Sequence, residues 1–152
     1  MYRKVLLAYD GSIEGRRALR EGATIAQQCK AEVFLLACRG FTGDRNFRGG
    51  SAMSVTEEIL DEGVQRLKTM GFSPTARLGV GEPGREIVAV AEEIGANLVV
   101  VGHRPDGPLA RWWFGSVGTY LVKNLRCSVL VAQTEIGDEE FARLLTLPAV
   151  EA

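Results

Sequence analysis

The spacing of apolar and polar residues changes several times along the chain, and each change predicts a new element. Val5 to Tyr9 is a short apolar run that stops at Asp10-Gly11. Ser12 follows where an N-cap belongs, and Ala18, Gly22, Ile25, Ala26 and Cys29 then recur at helical spacing. Val33 to Ala37 is a second apolar run. Arg39 to Ser51, rich in Gly and Arg, reads as a loop in which Arg45 and Arg48 are solvated. Val55, Ile59, Val64 and Leu67 mark a second helix ended by Gly71. Pro74 to Val80 alternates, with Ala76, Leu78 and Val80 on one face, as in a half-covered edge strand.

Pro83 suits the first turn of a third helix, because its missing N–H has no partner to lose there. Ile87, Val90, Ala91 and Ile94 form the inner face of that helix. Leu98 to Val101 is the most continuous strand run, closed by Gly102, and His103 to Phe114 is a loop. Gly115-Ser116 opens a fourth helix with Val117, Leu121 and Leu125 on one face. Cys127 to Ala132 is the last strand, and Glu139 to Leu145 a short terminal helix. Strand and helix alternate five times, which predicts an α/β fold with a parallel sheet and right-handed crossovers. The central runs lack alternation, so helices should cover both faces.

At 152 residues the chain suits one domain with its own core. Its 18 basic and 19 acidic residues leave a formal net charge of -1. That balance argues against nucleic acid or a membrane surface as partner, since both favour a basic excess. No signal-peptide pattern and no membrane-length apolar run is present, so cytoplasmic residence is the expectation. Cys29, Cys38 and Cys127 form no C-x-x-C pair and sit in or beside apolar stretches, which predicts buried reduced thiols.

Two places join glycine to a strand-to-helix turn: Tyr9-Asp10-Gly11-Ser12, and Gly102-His103-Arg104-Pro105 followed at a distance by Gly115-Ser116-Val117. In an open parallel sheet, ligands bind beyond the carboxyl ends of the strands, where the strand order reverses. A helix opening with Gly-Ser offers backbone N–H groups, a hydroxyl and the helix dipole to a phosphate. Taken alone, Gly-Ser at a helix start is usually a plain cap, and Asp10 is equally a turn residue bonding its own backbone.

The spacing of these glycines resembles a motif of the universal stress proteins. ATP-binding members of that family carry G-x2-G-x9-G-[S/T]; here Gly102-x2-Pro105-x9-Gly115-Ser116 keeps the spacing. The opening VLLAYDGS, Gly81-Glu82-Pro83 with Ile87, the run Ala96 to Gly102 and Cys127-Ser128-Val129-Leu130-Val131 resemble further family segments in the right order, with Asn97 where Asp is usual. The resemblance covers residues 1–133 and leaves 134–152 as a tail with a short helix. It implies a single-domain, Rossmann-like (adenine nucleotide α-hydrolase-like) sheet of five strands in order 3-2-1-4-5, with helices on both faces.

The same resemblance implies an adenine-nucleotide-binding regulatory or stress-response protein rather than an enzyme, with at most slow ATP hydrolysis. Ala8 and Asp10 would border adenine and ribose, and Val101 and Gly102 would pass under ribose and phosphates. Gly115, Ser116 and Val117 would hold the phosphate tail, with Arg104 adding charge. ATP, ADP or AMP would be the ligand, with Mg2+ alongside a triphosphate.

Relatives dimerise through the last strand, which implies a homodimer and an unidentified protein partner; the competing reading lets the tail, Glu135 to Leu147, cover that edge. Pro105 departs from the motif. It has no N–H to donate, and Asp106 adds a negative charge beside it. A degenerate pocket on a nucleotide-independent dimeric interaction module is therefore the alternative. An adenylyl-transfer enzyme is disfavoured, because Asp10-Gly11-Ser12 is too short for a pyrophosphate loop. His103 is a loop residue at the crevice mouth, and Trp112, Trp113 and Phe114 either anchor the loop or form a contact patch.

Overall fold

The computed structural model describes residues 1–11, 13–38, 55–102 and 116–146; the side chains of residues 13, 14, 116 and 117 are outside that description. The predicted loops 39–51 and 103–114, with Arg45, Arg48, His103, Arg104, Pro105, Trp112 and Trp113, fall outside it, as do Ser12 and Gly115.

Five strands, β1 (Lys4–Ala8), β2 (Glu32–Cys38), β3 (Thr75–Gly79), β4 (Leu98–Gly102) and β5 (Ser128–Ala132), form one sheet in the order β3-β2-β1-β4-β5. Every neighbouring pair is parallel, with Leu7 opposite both Leu35 and Val100, and Gly102 opposite Ala132. The helices are α1 (Ile13–Cys29), α2 (Val55–Thr69), α3 (Pro83–Ile94), α4 (Ser116–Asn124) and α5 (Asp138–Thr146). The expected α/β architecture and strand order are both present.

β1 explains why the core has two halves. Its side chains alternate across the sheet: Val5, Leu7 and Tyr9 join Leu19, Ala23 and Ala26 of α1 and Leu67 of α2 on one face, while Leu6 and Ala8 join Ile87, Val90 and Ala91 of α3 and Leu121 of α4 on the other. A strand covered on both faces is apolar throughout its covered length, as this one is from Val5 to Ala8. α3 opens with Pro83 and closes at Gly95, whose φ of 69° lets its N–H turn back onto the last carbonyls.

Three local expectations need correction. In β3, Ala76 is exposed and Val80 lies beyond the strand, 66% exposed. The buried position is Gly79, packed against the Cys38 thiol and Glu86, because an edge strand is covered only where a neighbouring helix reaches it. Val55 opens α2 facing solvent; Leu67 is buried as expected and Ile59 and Val64 pack half-buried against the core, but Thr56 and Gly63 are buried as well. Of the three free thiols only Cys38 is buried, whereas Cys29 and Cys127 are half-buried. Among the described residues the tail does not lie as a strand along β5: α5 packs on α1, with Phe141 buried in the α1 side of the core.

Candidate functional site at the carboxyl ends of β1 and β4

β1 leads to β2 on one side of the sheet, and β4 leads to β5 on the other, so the chain departs in opposite directions from these two central neighbours. Their last paired residues are Leu7 and Val100. Ala8 and then Asp10 follow on β1; Val101 and Gly102 follow on β4. The structure thus brings Ala8, Asp10, Val101 and Gly102 to one stretch of the sheet's carboxyl edge. α4 carries the chain back to the start of β5, so its first residues, Ser116 and Val117, stand on that same edge. Arg104 and Gly115 lie outside the described residues.

Ala8 and Val101 are buried, and Asp10 and Gly102 half-buried. The two strands end in residues with little or no side chain, so their backbones are open to close approach. The crevice between divergent crossovers is where an open parallel sheet accepts a ligand.

The turn after β1 is held from below. The Tyr9 N–H donates to the Leu36 carbonyl at 2.9 Å, extending β1's bonding by one residue. Gly11 then takes φ 79°, a left-handed conformation that costs glycine little. The Tyr9 ring is fully buried, and its hydroxyl donates to Glu62 of α2 at 3.4 Å. Burial pushes the Tyr9 phenol above its ordinary value. Glu62 also accepts from Arg66 at 2.7 Å and from Arg16 at 3.1 Å. The Arg66 hydrogen bond, opposed by partial burial, holds the Glu62 carboxyl below its ordinary value. Sequence reading missed this support. Its one local signal was the i, i+4 pair Glu62–Arg66; Tyr9 and Arg16 are far away in sequence.

The universal stress protein family model matches residues 1–133. The chain belongs to the universal stress protein family. Its curated relatives in the family include the universal stress protein Sll1388 of Synechocystis, 28% identical over 87% of this chain and 98% of that protein. YxiE of Bacillus subtilis is also 28% identical, over 88% of this chain and all of that protein. Among solved universal stress proteins, one in complex with cAMP superposes with a TM-score of 0.67 at 27% identity, covering 88% of this chain and 98% of that one. Another, from Archaeoglobus fulgidus, gives 0.66 at 24% identity over 88% of this chain and all of that one, and speaks to the fold alone.

Proposed function

We propose that the crevice between the ends of β1 and β4 binds an adenine nucleotide, and that the protein acts as a nucleotide-dependent regulator rather than a catalyst. The observation that carries this reading is the convergence of Ala8, Asp10, Val101, Gly102 and the start of α4 on one edge. The structure of a relative in complex with cAMP supports an adenine nucleotide as the class.

Each element has a physical role in this reading. Ala8 and Asp10 border the base and ribose. Val101 and Gly102, with no bulk at Gly102, pass beneath ribose and phosphate. Gly115, Ser116 and Val117 present N–H groups and a hydroxyl to the phosphate tail, with the positive end of α4 behind them. Arg104 adds a guanidinium. A divalent cation would accompany a triphosphate, held by its oxygens. Pro105 removes one N–H donor, which weakens the grip by about 1.5–3 kcal/mol, or roughly tenfold to a hundredfold. The expected ligand is therefore one that relies less on the γ-phosphate, and AMP or cAMP should compete well with ATP. No placed general base argues for hydrolysis.

We also take residues 1–133 as the functional domain, cytoplasmic in location, with 134–152 as an appended segment and the β5 edge as the surface of a homodimer. The decisive experiment is mass analysis of nucleotide released from the purified protein, followed by melting with and without AMP, cAMP and MgATP. Ligand at a hundred times its dissociation constant should add about 2.7 kcal/mol of stability. If no adenine nucleotide co-purifies or shifts the melt, the nucleotide-independent interaction module replaces this reading.

A further inference from the structure

A cavity of about 550 Å3 opens on the helical layer where α1, the end of α2 and the tail meet. Arg16, Arg17 and Arg20 of α1 and Arg66 of α2 line it, and Glu135, Ile136 and Gly137 close it where the tail crosses α1. Leu19 and Met70 add apolar surface. Four guanidinium groups thus face a single lining carboxylate.

The carboxylates paired to these arginines leave their charge incompletely answered. Arg16 and Arg66 both bond the same oxygen of Glu62, at 3.1 and 2.7 Å, so two cations share one anion. Glu135 meets Arg17 at 2.9 Å but is 72% exposed, and Asp138, paired with Arg20, is 89% exposed. Ion pairs so open to water are weak, and an anion entering the cavity can compete with them. The Arg20 guanidinium is also held in place by contacts other than its ion pair. The Ile136 carbonyl accepts from Arg20 at 2.7 Å, and the Arg20 guanidinium lies over the Phe141 ring, 5.3 Å from its centroid. Donors already oriented lose little freedom on binding, and the planar fork of arginine matches a phosphate.

We propose that this cavity is a second binding site, for a small anion carrying a phosphate or pyrophosphate group. Its third wall is residues 135–137, beyond the reach of the family match at residue 133, so the site belongs to this chain's own tail. It stands whether or not the strand-end crevice takes a nucleotide.

Inorganic pyrophosphate is the probe. Calorimetric titration into the full chain at low ionic strength should give saturable binding that weakens as salt is added. Arg17→Gln, which removes only an exposed ion pair and should leave the fold intact, is expected to weaken it by about tenfold or more. Arg17→Lys should recover part of the loss, since it restores the charge without the fork. Three results would overturn the proposal: no saturable binding at millimolar pyrophosphate, equal affinity in wild type and in both Arg17→Gln and Arg20→Gln, or an affinity lost in Ser116→Ala and kept in Arg17→Gln. The last would put the anion in the strand-end crevice.

Discussion

Gly63 shows how one residue on a helix sets the position of the turn at the candidate site. A Cβ built there would stand 2.7 Å from both the Leu35 Cδ2 and the Tyr9 Cδ1 atoms. Both side chains are fully buried, and the Tyr9 ring is rigid, so neither can give way cheaply. Alanine is the better helix former by about 1 kcal/mol, but overpacking costs about 1–3 kcal/mol. We expect Gly63→Ala to lower stability by up to about 2 kcal/mol, read as a lower urea midpoint at unchanged slope, and to weaken any ligand bound beside Asp10. A midpoint that rises would show that helix propensity outweighs the clash. The reverse case is Asn97, where the family resemblance implies Asp. Its Oδ1 accepts from the N–H groups of Arg3 at 2.8 Å and Lys4 at 2.9 Å, tying β4 to the start of β1. Both bonds need only an acceptor oxygen, which Asn and Asp share. That role is invisible in sequence, because the two donors lie more than ninety positions away.

At the scale of elements, Glu62 joins α1 to α2 through Arg16 and Arg66 while supporting Tyr9 beneath the turn. Its folded pKa lies below the ordinary 4.5, with the Arg66 hydrogen bond as the largest cause. A depressed folded pKa means that the contribution is complete above the ordinary value and is lost as pH falls through the folded one. The stability gap between wild type and Glu62→Gln should therefore be widest near neutrality and close steadily below about pH 4.5. Urea midpoints of both proteins across that range test it; a gap that stays constant would mean the carboxylate charge contributes nothing to the clamp. Some elements were legible and others were not, for a common reason. The inner face of α3 was readable because Ile87, Val90, Ala91 and Ile94 all bury against one continuous sheet. The β3 face was misread because alternation shows which side chains point together, not which of them a helix covers. The tail's path depends on contacts from Arg20 to Ile136 and from Gln27 to Leu145, each more than a hundred residues apart, and no local pattern encodes them.

For the whole molecule, parallel pairing in the order β3-β2-β1-β4-β5 puts the ends of β1 and β4 together, and that order followed from recognising the motif spacing rather than from periodicity. The same topology leaves β5 at the end of the sheet with β4 as its one strand partner among the described residues. The contacts of the tail run from Glu135 on Arg17, through Ile136 on Arg20, to Leu145 on Gln27. They follow α1 downward and so draw the tail over the helical layer instead of along the strand. Val129, Leu130 and Val131 are only half-buried. An apolar edge strand with unpaired backbone groups is a template for a second strand, and in the proposed homodimer the edge of one copy meets that of another. Light scattering should give a mass twice the 16.5 kDa of the chain. Val129→Lys should return it to one chain's mass, because a charged edge side chain opposes strand pairing while its aliphatic stem preserves much of the local packing. Unchanged far-UV circular dichroism would confirm that the variant is folded. A wild-type chain that stays monomeric at tens of micromolar, or a folded Val129→Lys that stays dimeric, would remove β5 as the interface and leave the helical faces as the surface to examine.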